Sequence, residues 1–183
     1  MRAAILVGLL MLFVISGAIS PINSYAKSLE KLNESFTIIR EYTPHAPIHI
    51  VGDANFTSAN GVVGGSGTPD DPYIIEGWEI DAEGGEYCIR IENTNAYFII
   101  RNCRVYNASD PFGGSGIELI CVQNGCIENN IICFNDEGIY IIDDSNYIFI
   151  KNNICIRNDD AGIRSYYSEN VTIINKIRVL RDL

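Results

Sequence analysis

Little in this chain suits soft-metal or histidine chemistry. Both of its methionines, Met1 and Met11, fall in an apolar leader, and its only histidines are His45 and His49. Those two are four residues apart with Pro47 between them, so they do not share a helix face. Copper(I) prefers thiolate and thioether ligands and copper(II) prefers imidazole, so a copper site is poorly supplied. Leucine is also scarce: after the leader only Leu29, Leu32, Leu119, Leu180 and Leu183 occur. That argues against a leucine-rich repeat. Positive charge is outnumbered, with 13 Lys and Arg against 23 Asp and Glu and a formal net charge of -10. Such a surface repels phosphate backbones and excludes nucleic acid as a partner. It also repels a polyanionic sugar unless a cation such as Ca²⁺ bridges the two. No apolar run after the leader approaches the roughly 20 residues of a membrane span.

The leader itself reads as a secretory signal. Arg2 supplies the positive start, Ala3 to Ile19 is nearly all apolar, and Ser24-Tyr25-Ala26 fits a small-x-small cleavage site. Residues 1–26 are therefore expected to be a signal peptide, and the chain to be secreted or held at the cell surface. An uncleaved leader would be its sole membrane attachment. Asn33, Asn55, Asn107 and Asn170 each open an Asn-x-Ser/Thr triplet, which fits an exported protein. The six cysteines, Cys88, Cys103, Cys121, Cys126, Cys133 and Cys155, permit disulfides there. No pairing follows from their spacing, and several read as small buried hydrophobes.

Residues 27–47 read as a linker or lead-in, and Ile48 to Val51 as a first strand. Gly61 to Gly67, with four glycines in seven residues, reads as loop. Repeats follow. Ile99-Ile100-Arg101-Asn102-Cys103, Cys126-Ile127-Glu128-Asn129-Asn130, Phe149-Ile150-Lys151-Asn152-Asn153 and Thr172-Ile173-Ile174-Asn175-Lys176 align. Ile100, Ile127, Ile150 and Ile173 are spaced by 27, 23 and 23 residues, and so are Asn102, Asn129, Asn152 and Asn175. A second motif runs in phase: Cys88-Ile89-Arg90-Ile91, Gly116-Ile117-Glu118-Leu119, Gly138-Ile139-Tyr140-Ile141 and Gly162-Ile163-Arg164-Ser165. Alternation of apolar and polar residues signals strands with one buried face, so each repeat holds at least two short strands. If each repeat is one turn of a coil, equivalent residues lie about 4.8 Å apart, one strand spacing. Isoleucines then stack into an apolar column. The corner asparagines tolerate a left-handed backbone, and their amides are expected to bond from coil to coil as a ladder.

These residues resemble the right-handed parallel β-helix repeats of the pectin-lyase-like superfamily. More narrowly they resemble the NosD-type group of archaeal exported proteins, whose domain is termed carbohydrate-binding and sugar hydrolase (CASH). The lead-in Asn55 to Val62 and Gly67 to Trp78 adds to the likeness. The resemblance implies an all-β single-stranded parallel β-helix of about five short coils over residues 48–176. Residues 177–183 are then a C-terminal tail or truncated coil. Of the motifs carried by pectin-degrading hydrolases, Gly-His-Gly and Arg-x-Lys, neither is present.

The candidate site residues sit at coil ends and on outward strand positions. Asp136, Glu137, Asp159 and Asp160 recur at a spacing of 23, and stacked coils would bring these carboxylates together as a Ca²⁺ site. Asp159 and Asp160 with Arg157 and Arg164 form the candidate catalytic cluster of a lyase or glycosidase. Tyr140, Tyr147, Asp143 and Asp144 are the candidate ligand contacts, because flat aromatic faces suit sugar rings. The competing reading is solvated corner acids and aromatics that shield the sheet. The expectation carried forward is an exported, non-catalytic module, carbohydrate-binding or structural at the cell surface. Its partner would be a polysaccharide or cell-envelope glycan. It needs no cofactor, with Ca²⁺ the one allowed for. The alternatives are a Ca²⁺-assisted polysaccharide lyase or glycoside hydrolase, and a NosD-like periplasmic copper-binding protein.

Overall fold

The computed structural model describes residues 41–111 and 113–175, and 177–179 as backbone. The expected signal peptide and most of the expected lead-in lie outside the described residues. Short alternating segments become strands throughout. β1 (Thr43–Pro44), β2 (Ile48–Val51) and β3 (Val62–Gly64) come first. Then the chain repeats a set of three. β4 (Tyr73–Glu76), β5 (Trp78–Asp81) and β6 (Tyr87–Thr94) make one turn, and β7 (Phe98–Arg101), β8 (Arg104–Tyr106) and β9 (Ser115–Val122) the next. β10 (Gly125–Glu128), β11 (Ile131–Cys133) and β12 (Glu137–Ile142) follow, then β13 (Ile148–Lys151), β14 (Ile154–Ile156) and β15 (Ala161–Ser165). β16 (Val171–Ile174) and β17 (Ile177–Val179) begin another.

Each turn gives one strand to each of three sheets. Sheet one holds β3, β4, β7, β10, β13 and β16; sheet two holds β1, β5, β8, β11, β14 and β17; sheet three holds β2, β6, β9, β12 and β15. Every pairing is parallel except that of β3 with β4. The result is an all-β parallel solenoid of about four turns, against about five expected, with three strands per turn where at least two were expected. The third strand went unseen because β8, β11 and β14 are three residues long, too short for alternation to show. Two boundaries also differ. Thr43–Pro44 pairs with β5 inside the expected lead-in, at a sheet edge, where proline's missing N–H does little harm. Val62–Gly64, expected as loop, is an antiparallel edge strand against β4.

Columns fill the interior. In sheet one Ile75, Ile100, Ile127, Ile150 and Ile173 lie in register. In sheet three Ile48, Ile89, Ile117, Ile139 and Ile163 do so. Sheet two stacks Ile80, Val105, Ile132 and Cys155. The columns are buried until the last rung, where Ile173 is 46% exposed. At the other end Phe56 is buried, stacked on Tyr73 at 4.5 Å, and Trp78 Nε1 donates to the Gly61 carbonyl at 2.7 Å.

The asparagine ladder exists, but one residue later than expected. Asn102, Asn129, Asn152 and Asn175 all have φ between 51° and 56°, so they turn the corner. Asn102 Nδ2 donates to Glu76 Oε1 at 2.8 Å, not to another asparagine. The ladder is made by their buried neighbours: Asn130 Nδ2 donates to Asn153 Oδ1 at 3.0 Å. Asn135 Nδ2 donates to Asn158 Oδ1 at 3.0 Å at the next corner. The left-handed residue reverses the chain, and the residue beside it points its amide inward, where stranded backbone groups need partners.

The six cysteines are unbonded, and Cys88, Cys103, Cys133 and Cys155 are buried. Burial pushes the Cys88 thiol up to about 12 and the Cys103 thiol up to about 11. Since the thiolate is the reactive form, iodoacetamide on native protein should label exposed Cys121 first and spare Cys88 and Cys103 until denaturant is added. Prompt labelling of Cys88, read by peptide mass, would contradict the packed columns.

Candidate functional site

Stacking produces rows of outward side chains as well as inward columns. On sheet one the row Glu76, Arg101, Glu128, Lys151 alternates in sign. Arg101 pairs with Glu76 at 2.7 Å and Lys151 with Glu128 at 2.6 Å. Cross-strand pairs of this kind stabilise a sheet, and the row is complete in itself.

Sheet three departs from that pattern. Its row is His49, Arg90, Glu118, Tyr140, Arg164. Arg90 bonds Glu118 and lies over the Tyr87 ring at 4.1 Å. Tyr140 then interrupts the alternation. Arg164, separated from Glu118, pairs instead with Glu137 at 2.9 Å. Glu137 and Glu118 are 6% and 8% exposed, few such acids being so deeply buried. Glu137 Oε2 is buried with no hydrogen-bond partner. A buried acceptor left alone is costly, which marks this point on the face as unfinished.

Burial pushes both carboxyl groups up from their ordinary range, offset by Arg90 at Glu118 and by Arg164 at Glu137. A carboxyl raised in the folded chain binds its proton more tightly there than when unfolded. The stability it contributes is full below the unfolded pKa and is lost as pH rises through the folded one. Thermal melts should therefore show Glu137→Gln gaining on the wild type as pH rises from about 4 to about 7. A difference that does not change with pH would refute the raised value.

The expected candidates are partly brought together. Glu137, Tyr140 and Arg164 share the sheet-three face. Asp143, Asp144 and Tyr147 lie at the following corner, all with left-handed φ, and Tyr147 is 62% exposed. The expected acid stack is corrected. Glu137 is in register with Ala161, not Asp160, because the turn before β15 is one residue longer than the turn before β12. Instead, the backbone N–H of Asp159 bonds the Asn135 carbonyl and that of Asp160 the Asp136 carbonyl. Asp136 Oδ2 accepts the Gly114 N–H at 2.7 Å, so this acid fastens a turn. Among the described residues no three His, Cys, Asp or Glu side chains are grouped to hold a metal ion. Arg157 lies over the Phe134 ring at 5.6 Å. Arg90 and Glu118 were overlooked as site residues. Their signal was their place in the same outward row as Tyr140 and Arg164.

The family model for the right-handed β-helix region matches residues 64–177. No curated protein matches the chain, and no solved structure does.

Proposed function

The chain belongs to the right-handed β-helix family, and from that premise we propose that it is an exported, non-catalytic module that binds a glycan on the outer face of sheet three. The supporting observation is the outward row Arg90, Glu118, Tyr140 and Arg164, where the Tyr140 ring breaks the charge alternation and Arg164 is held by Glu137 at 2.9 Å. Sugar hydroxyls are donors and acceptors at once, and suit a face offering carboxylate, guanidinium and phenol. The Tyr140 ring supplies the apolar contact a pyranose face needs. Glycan-array screening followed by calorimetry tests this reading. Tyr140→Ala should weaken binding at least tenfold, about 1.4 kcal/mol. A blank array together with a blank pull-down on envelope material would end it.

One observation favours a second reading, a glycoside hydrolase. Glu118 and Glu137 both have raised pKa values and stand near Arg90 and Arg164. A carboxyl raised above its ordinary range is a feature that a glycosidase's general acid shares. Release of reducing ends from a bound glycan, abolished by Glu137→Gln, would select this reading over simple binding.

A further inference from the structure

A concavity lies away from the outward row of sheet three. It is a cleft of about 560 Å³, within the range of small-molecule sites. The corner Pro44-His45-Ala46-Pro47, between β1 and β2, forms one wall. Glu79 and Asp81 of β5, Glu83 of the next turn and Tyr106 of β8 form the other. The apolar part is prolines, Ala82 and the Tyr106 ring. His45 is packed against Trp78 at 4.8 Å, and its Nδ1 donates to the Ala46 carbonyl at 2.6 Å.

The polar groups are mismatched in one direction. Glu79 is neutralised by Arg104 at 2.6 Å. Asp81 accepts two bonds, from the Glu83 N–H at 2.8 Å and Asn107 Nδ2 at 3.1 Å, and both fall on Oδ1. Its Oδ2 takes none among the described residues. The Glu83 side chain is exposed and has no ion-pair partner among the described residues. No lysine or arginine lines the cleft. Acceptors and negative charge are therefore in excess, beside flat apolar walls. An anionic ligand would be repelled. A neutral sugar would leave two carboxylates uncompensated. A primary ammonium supplies three donors and a positive charge, and a ring attached to it can lie against the proline and tyrosine walls.

We propose that this cleft binds an amino sugar with a free ammonium group, held by Asp81 and Glu83 with its ring against Pro44, Pro47 and Tyr106. This site is separate from sheet three and stands or falls independently of the glycan reading there.

The test is calorimetry or ligand-observed NMR on the full chain with glucosamine, N-acetylglucosamine, glucose and ethylamine. Glucosamine should bind saturably. The acetylated and neutral sugars should bind at least tenfold more weakly, the first because acetylation removes the charge. Ethylamine should also be at least tenfold weaker, because it lacks the ring. Asp81→Asn with Glu83→Gln should weaken glucosamine at least tenfold, while Tyr140→Ala on sheet three leaves it unchanged. Both are checked for native circular dichroism. Glucosamine failing to bind, or binding unchanged by the double variant, overturns the proposal. Equal binding of N-acetylglucosamine overturns the ammonium, and equal binding of ethylamine overturns the ring. Loss of glucosamine binding in Tyr140→Ala would assign it to sheet three instead.

Discussion

Asn130→Ala should cost about 2–4 kcal/mol of unfolding free energy, because it strands the buried Cys103 N–H, at about 1–3 kcal/mol, and removes a hydrogen bond to the Ile100 carbonyl worth about 1 kcal/mol more. Asn130 Oδ1 accepts the Cys103 N–H at 2.9 Å, and its Nδ2 donates to the Ile100 carbonyl at 3.0 Å. The Cys103 N–H lies in the corner beyond the end of β7, whereas the Ile100 carbonyl lies within that strand, in register with β10. Asn130 itself is fully buried, so water does not replace the amide. Its neighbour provides the control. Asn129 holds φ at 56°, and glycine adopts that conformation freely, so Asn129→Gly keeps the corner and should cost less than Asn130→Ala. Urea melts of the two variants separate the roles. Equal losses would mean that the inward amide does not carry the corner.

That pair of asparagines also shows where the sequence was readable and where it was not. The columns were legible because isoleucine recurs at the repeat spacing and alternates with polar residues, and both patterns survive without coordinates. The outward row through Arg90, Glu118, Tyr140 and Arg164 followed from the same alignment. Which of two adjacent asparagines turns the corner and which points inward was not legible, since both recur with the same step. The acid stack is displaced by one residue for a related reason. A spacing of 23 links Glu137 with Asp160, but the extra residue before β15 makes the structural step from Glu137 run to Ala161. Repeat length gives the average rung, while register is set turn by turn through hydrogen bonds. The pairing of buried Glu137 with half-exposed Arg164 escaped notice because it joins two rungs off the row, through Tyr140's interruption of the charge alternation.

Gly138→Ala should be nearly as damaging as loss of the buried amide, for a steric reason. A Cβ on Gly138 would stand 2.4 Å from the Gly162 carbonyl oxygen, and one on Gly116 would stand 2.8 Å from the Gly138 oxygen. The recurrent small residue of the second motif is thus a column in which each residue leaves room for the backbone of the next rung. Neither glycine has a positive φ, so closeness of approach, not chain reversal, is what requires it. The obstacle is backbone, which cannot rotate away, and relief requires rung β15 to shift against β12. Overpacking of this kind costs about 1–3 kcal/mol, occasionally more. The shift would also pull Arg164 from Glu137, which sit on those two strands. Gly138→Ala should therefore lower the thermal midpoint and weaken any sheet-three ligand together. Gly77→Ala, where an added Cβ meets nothing within 4 Å but φ is 80°, should lower the midpoint through backbone strain and leave that ligand untouched. A Gly138→Ala protein with wild-type stability would mean that the rungs do not lie this close.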